Sequence, residues 1–532
     1  MARKPLTNVD TAWLRMEEPN NLMMISGVLV FGAPIDYERL KATLEHGFLR
    51  FDRFRQRVAH PVLPGARLYW EEDPNFDLDY HLQRATLPPP GGQAALQDVA
   101  SLLASTQLDF SRPLWQFHLV EEFGDGCAII CRLHHSIGDG IALVHVLLSL
   151  TNSEPDVPWP VIEPQAPRRK GRGPLAPLFR PARQALKTSR QVTGSLVREG
   201  MTVFNNPSRI ADLAKVGVRG SVALGRLLLL WPDPKTIFKG PLGVPKRAAW
   251  SAAIPLEDVK AIGRGLGGTV NDVLLTAMAG GLRRYLEGRD EPVDGLNFRA
   301  VVPVDLRPAG VEPDLGNKFG LVFLSLPVGI VDPADRLQEL KRRMDDLKGS
   351  LEAPVAFGIL NAIGMAPEQI QDIVVNIFGM KGTAVMTNVI GPREQLYMAG
   401  APLEALMFWV PQSGHLGLGV SILSYAGRVF MGVITDEGLV PDPDTIIAAF
   451  HTEFDDLLAL VQRADRASGV KEAADQLDEI PSSLDAKLEG DVEAKEEPSG
   501  PVPARCQALT KTGRQCKNRP LPASSYCWRH QE

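Results

Sequence analysis

Two hydrophobic periods alternate along the chain. Cys127-Ala128-Ile129-Ile130-Cys131 is short, apolar and free of breakers, which predicts a buried strand. Ile141-Ala142-Leu143-Val144-His145-Val146-Leu147-Leu148 is apolar over a longer run and predicts a helix start. Upstream, Ala12–Glu17 predicts a short helix, Met23–Phe31 a buried strand, and residues 36–50 an amphipathic helix. Between Ala182 and Trp231 helical segments are basic on one side and apolar on the other, ending in Leu227-Leu228-Leu229-Leu230-Trp231-Pro232. Further on, Leu256–Ile262 reads as a helix and Thr269–Leu275 as the start of another. Ala300–Pro308 reads as a strand ending in a polar turn, and Thr387–Pro392 as a strand and turn.

The pattern breaks in two places. From Thr151 to about Lys187 eight prolines and the cluster Arg168-Arg169-Lys170 mark a linker. Residues 471–498 are rich in Glu, Asp, Lys and Ala and predict a solvated tether. At 532 residues the chain has room for two to four domains. A composition 44% hydrophobic and 23% charged is that of a globular protein, and a net charge of -6 gives no general case for nucleic-acid binding. Met1–Thr7 has no apolar core behind its positive charges, so no secretory signal is expected. No apolar run reaches the length of a spanning helix. The five cysteines are odd in number and split between the strand and the tail, which points to a reduced, cytosolic protein.

Chemistry concentrates where the strand near residue 130 gives way to the helix, at His134-His135-Ser136-Ile137-Gly138-Asp139-Gly140. A neutral imidazole takes a proton from a hydroxyl near working pH and returns it later. One histidine of an adjacent pair can face a cleft while the other packs behind it. Asp139 can hold the turn through backbone N–H groups or an arginine, and Gly138 and Gly140 allow a sharp bend. Two structural histidines at a strand end are the plain alternative. The added aspartate and glycine favour a functional turn.

These residues resemble the HHxxxDG signature of the acyl-CoA-dependent acyltransferases, a superfamily that includes chloramphenicol acetyltransferase and peptide-synthetase condensation domains. Pro113-Leu114-Trp115, Asn271-Asp272, Gly316-Asn317-Lys318-Phe319-Gly320 and Thr387-Asn388-Val389-Ile390-Gly391-Pro392 are similar to elements of one branch, the bacterial wax ester synthase/acyl-CoA:diacylglycerol acyltransferase family. Asp10, the Trp13-Leu14-Arg15 step and the Met-rich strand entry fit the family's opening, and the resemblance spans roughly residues 7 to 460 outside the linker. It implies an α/β fold of two chloramphenicol-acetyltransferase-like lobes with the active-site channel between them. The expected divisions are 1–150 (first lobe), 151–239 (linker and connecting helices), 240–466 (second lobe), 467–503 (acidic tether) and 504–532 (tail).

The implied activity is transfer of a fatty acyl group from acyl-CoA to diacylglycerol or a long-chain alcohol, at a membrane or lipid-inclusion surface the basic amphipathic helices could meet. His135 is expected as general base, with His134 and Asp139 holding the loop and Gly140 giving clearance. Arg55 is the candidate partner of Asp139, by analogy with condensation domains. Asn271 suits a helix cap or an oxyanion donor, and Asp272, Pro113 and Trp115 are expected as supports. No cofactor is implied for catalysis, and no nucleic acid is required. The alternatives are a condensation-type enzyme using another acceptor and a non-catalytic lipid- or partner-binding paralogue.

Two further motifs lie outside that frame. Gly263-Arg264-Gly265-Leu266-Gly267-Gly268 has the glycine spacing of a dinucleotide loop but follows a helix instead of a strand, so that reading is set aside. In the tail, Cys506, Cys516, Cys527 and His530 make a complete tetrahedral set for a structural zinc in a segment with few apolar residues.

Overall fold

The computed structural model describes residues 3–59, 67–155, 229–307, 315–348, 350–365, 375–377, 379–412 and 414–478. Most of the linker with the amphipathic helices expected there, and the whole tail with its expected zinc ligands, lie outside the described residues. Met1–Ala464 is one unit; in the second, Asp465–Glu532, the described part is the end of helix Pro443–Asp478.

Two large sheets organise the first unit. One has six strands in the order Tyr397–Met398, Ala401–Trp409, Met24–Phe31, Gly126–His134, Trp115–Phe123 and Leu82–Ala85. At its centre, Gly126–His134 is buried at every position and pairs antiparallel with strands on both sides. A strand covered on both faces needs no polar alternation, which is why Cys127–Cys131 reads as a continuous apolar run. The other sheet runs Phe319–Leu326, Phe298–Asp305, Ala384–Ile390, Leu418–Tyr425, Arg428–Asp436 and Lys246–Trp250, with Ile254–Pro255 also on Arg428–Asp436.

The sheets do not divide the chain at residue 240. Ala401–Trp409 crosses over to pair antiparallel with Met24–Phe31, so the sheet that carries the histidines is completed from the other half of the sequence. Gly92–Ala104 packs Leu96 and Ala100 with Ala128, Ile130, Trp250, Trp409 and Ile434, one apolar cluster drawn from both sheets. Helix Val270–Glu287 and helix Pro443–Asp478 cover the second sheet through Leu274, Met278, Phe450, Phe454 and Leu457.

Some local expectations need correction. The amphipathic stretch 36–50 is α-helical only over Tyr37–Thr43; Leu44–Phe48 widens into a π turn, with the Leu49 N–H donating to Leu44 O at 2.9 Å. Asn271 is not the cap of its helix. Thr269 is, and Asp272 closes the capping box by accepting the Thr269 N–H at 2.9 Å.

Candidate active site

The strand Gly126–His134 ends at the motif, and backbone bonds fix how it ends. The His134 N–H donates to Leu114 O at 2.9 Å and the His135 N–H to Met23 O at 2.8 Å, which splays the two imidazoles apart. His134 turns inward. Its Nδ1 accepts the Ser136 N–H at 3.0 Å, so the ring proton sits on Nε2. That nitrogen lies 2.9 Å from Glu17 Oε2, a close contact without in-line hydrogen-bond geometry. Both nitrogens of His134 are thus turned to the fold.

His135 turns outward into a channel. Its Nδ1 lies 2.9 Å from Asn317 Oδ1, while Asn317 Nδ2 donates to His135 O at 2.8 Å and to Asp10 Oδ1 at 2.9 Å. The amide oxygen can only accept, so Nδ1 carries the proton and Nε2 keeps its lone pair on the channel side. Behind Asn317, the fully buried Asp10 meets Arg53 Nη1 at 3.7 Å, and the Arg53 guanidinium lies 4.3 Å above the Trp70 ring. Burial holds the His135 pKa well below the ordinary imidazole value, with the Asp139 charge pulling the other way. The ring is therefore neutral, the form a base requires, near pH 7.

Asp139 is the knot of the loop. Its Oδ1 accepts the Ala142 N–H at 3.0 Å and caps helix Gly140–Leu148. Its Oδ2 accepts Arg307 Nη2 at 2.7 Å and the Lys318 N–H at 2.9 Å. Arg307 also reaches Asp305 at 3.0 Å and Gly316 O at 3.0 Å. The aspartate's partner is thus Arg307, from the other sheet, and the expectation of Arg55 is wrong. Arg55 pairs with Glu72 at 3.0 Å and Asp52 at 3.2 Å and also bonds Leu49 O. These contacts hold it at the end of the turn Asp52–Arg55, beside the small sheet of Lys4–Pro5, Gln56–Ala59 and Tyr69–Glu72.

The channel runs between the two large sheets and is mostly apolar. Trp13, Met16, Val301, Phe319, Phe323, Leu360, Val389 and Phe408 line it together with His135, Asp139 and Gly140. A Cβ built on Gly140 meets nothing within 4 Å, so any side chain there would stand in open space at the channel that His135 also lines. Asn388 lines the wall and donates to Asn271 Oδ1 at 2.8 Å, which brings Asn271 close without placing it in the lining. Asp272 is buried in its capping box. Trp115 is fully buried behind the strand, its Nε1 donating to Phe54 O at 2.9 Å, and Pro113 O accepts the Trp115 N–H at 2.9 Å.

The functional reading of the sequence left out Asn317, Asp10, Arg53, Arg307 and Glu17. Asn317 and Asp10 stood within stretches already marked, but 307 residues separate them and no local pattern joins them. The tail cysteines and His530 lie outside the described residues, and among those described no group of three or more His, Cys, Asp or Glu is placed to hold a metal. Among the described residues no helix is long and apolar enough to cross a membrane.

Comparison with known proteins shows the family and the fold. Residues 6–274 match the wax ester synthase/diacylglycerol acyltransferase catalytic domain, and residues 315–458 match the WS/DGAT C-terminal domain. A Mycobacterium tuberculosis protein assigned as a diacylglycerol O-acyltransferase is 27% identical over 473 residues, covering 86% of this chain and 90% of its own. A second from that organism is 29% identical over 478 residues, covering 84% and 97%. Among solved structures, the wax ester synthase/diacylglycerol acyltransferase from Marinobacter aquaeolei VT8 superposes with a TM-score of 0.60 at 22% identity, over 86% of this chain and all (100%) of that one. The first condensation domain of the calcium-dependent antibiotic synthetase gives 0.54 at 15% identity, over 86% and 96%. At these identities the structural likenesses speak to the two-lobed α/β fold.

Proposed function

The chain belongs to the wax ester synthase/diacylglycerol acyltransferase family and is an acyl-CoA acyltransferase, and from that premise we propose that it esterifies a lipophilic alcohol, diacylglycerol or a long-chain alcohol, with His135 as general base. One observation carries the assignment: a buried imidazole whose Nδ1–H is held by Asn317 presents its Nε2 lone pair to an apolar channel.

The acceptor hydroxyl donates its proton to Nε2 as its oxygen bonds the thioester carbonyl carbon. The tetrahedral adduct then collapses, the C–S bond breaks, and the thiolate takes the proton back from His135. No nucleophilic Ser or Cys is required; Cys127 and Cys131 are buried within the strand, and burial raises both thiols. His134 and Asp139 hold the loop, and apolar walls suit an alkyl chain while excluding water that would hydrolyse the thioester. Arg307 and Lys318 tie the loop to the other sheet, so the base is set by both lobes.

The test is coenzyme A release from palmitoyl-CoA by the full chain, with dioleoylglycerol and hexadecanol as parallel acceptors. Acceptor-dependent release that falls about 10²–10⁴-fold in His135→Ala is expected. Near-normal turnover in a folded His135→Ala protein would remove the assignment. The reading extends to a peripheral membrane or lipid-inclusion location, supported by the basic amphipathic stretch before Trp231. It also extends to one zinc held by Cys506, Cys516, Cys527 and His530, supported by their donor chemistry and countable by metal analysis of purified protein.

A further inference from the structure

Trp13 lies on helix Asn8–Arg15, three residues after Asp10, and is 7% exposed. Its ring stacks on the imidazole of His135, with centroids 4.1 Å apart and planes 15° from parallel. Phe319 tilts against both rings, at 5.9 Å from Trp13 and 5.6 Å from His135. The Trp13 indole N–H is buried and meets no acceptor among the described residues. A phenylalanine would keep an aromatic ring there without stranding a donor, at the cost of the volume of the second ring. What indole adds over phenyl, apart from that N–H and its size, is a more electron-rich face, and that face lies on His135.

We propose that Trp13 is a positioning residue whose π face stabilises the imidazolium that His135 becomes when it takes the acceptor's proton. The proposal rests on the acyltransferase reading above. In the resting enzyme the ring is neutral, and the stack is an ordinary aromatic contact. As the acceptor O–H bond breaks and the C–O bond forms, positive charge appears on His135 inside a site that disfavours it. The indole face then attracts that charge, and the attraction ends when the proton passes to the departing thiolate. The interaction is stronger in the transition state than in the ground state, which is the condition for raising kcat.

Other titratable or charged groups near His135 come from several elements: His134 and Asp139 on its own loop, Glu17 against His134, Asp10 on the helix of Trp13, Arg53 behind Asp10, and Asp305, Arg307 and Lys318 from the side of the other sheet. Asp139 and Asp305 share Arg307, and Asp10 is separated from the ring by Asn317. The stacked indole therefore supplies attraction at contact that the nearby carboxylates supply only at a distance.

The experiment measures coenzyme A release across pH for wild type, Trp13→Phe, Trp13→Leu and His135→Ala. A second series is labelled with mono-, di- and trifluorinated tryptophan, which withdraws charge from the ring face without altering its shape. The same labelling in the Trp13→Phe background corrects for the other seven of the eight tryptophans. Expected is a fall in kcat of about 3- to 30-fold in Trp13→Leu, less in Trp13→Phe, with KM little changed. Loss of ring attraction should also move the acid limb of kcat to lower pH, and kcat should decline stepwise with fluorination. Unchanged kcat across the fluorinated series overturns the proposal, and so does an acid limb that stays put in a folded Trp13→Leu protein. If Trp13→Leu does not fold, the fluorinated series decides alone. A wild type that releases no coenzyme A, or a fully active His135→Ala, removes the acyltransferase reading and this inference with it.

Discussion

Replacing Asn317 with alanine removes three hydrogen bonds of 2.8–2.9 Å at once: to His135 Nδ1, to His135 O and to Asp10 Oδ1. Asp10 is 0% exposed and would keep Arg53 at 3.7 Å. A buried polar group left without its partner costs about 1–3 kcal/mol, and water entering the cavity would recover part of this, so a stability loss of about 3–5 kcal/mol is expected. The catalytic effect has a separate origin. Without an acceptor at Nδ1 the imidazole proton is free to move to Nε2, turning the lone pair away from the acceptor hydroxyl. Loss of the tautomer preference alone lowers kcat only by the fraction of rings left in the active form, a few-fold. The Nδ1–H bond also strengthens as the ring becomes charged, and losing that bond, worth about 1–3 kcal/mol, brings the expected fall in kcat to about 5- to 150-fold with KM little changed. Asn317→Asp separates the two effects: it retains an oxygen for Nδ1 but places a second carboxylate beside Asp10, so stability should fall while kcat is better preserved. The assays are urea unfolding and coenzyme A release at a temperature where both variants are folded. An Asn317→Ala enzyme with kcat within about twofold of wild type would refute the support that Asn317 is argued to give the protonated His135.

Two further outcomes follow from buried charge and buried imidazoles. Arg307→Met strands Asp139, since both side chains of this pair are 5% exposed. Unfolding should be easier by about 3–5 kcal/mol, and Asp139→Asn added to Arg307→Met should recover part of that; a strictly additive double variant would contradict the pairing. Burial pushes His81 and His118 down to about 4, so below the ordinary value near 6.5 the unfolded chain takes up protons that the fold refuses. Each histidine then leaves stability intact above pH 6.5 and costs about 2 kcal/mol by pH 5, rising as pH falls to 4. Urea midpoints at pH 7.5 and 5 should draw together in His118→Leu, and an unchanged gap would count against it.

Local pattern carried part of this structure and stopped at identifiable points. The central strand and the turn after it were legible because a doubly covered strand is uniformly apolar and its end is marked by glycine and charge. His135 and His134 were assigned different roles from sequence, and the geometry that supports the division is a pair of backbone bonds to Met23 and Leu114, neither visible in the motif. Arg55 was expected as the partner of Asp139 by analogy with condensation domains, and that analogy did not carry over to this chain. The partner arrives from across the channel, 168 residues after Asp139. Asn317 shows the same limit from the other side: its stretch was recognisable, but only folding reveals that its amide faces an imidazole. Strand exchange escaped entirely, since Ala401–Trp409 is a plausible strand for either sheet and alternation does not name a neighbour.

That exchanged strand bears on how the protein is made. On a ribosome, the edge of Met24–Phe31 that Ala401–Trp409 will cover emerges early and has no mate until some 380 residues later. At roughly 5–20 residues per second, it waits about 20–75 s with its backbone donors and acceptors unpaired. Such an edge is a template for a neighbouring nascent chain. Chaperone demand during synthesis should accordingly be concentrated on the amino-terminal half, and release it only once residue 409 has cleared the exit tunnel.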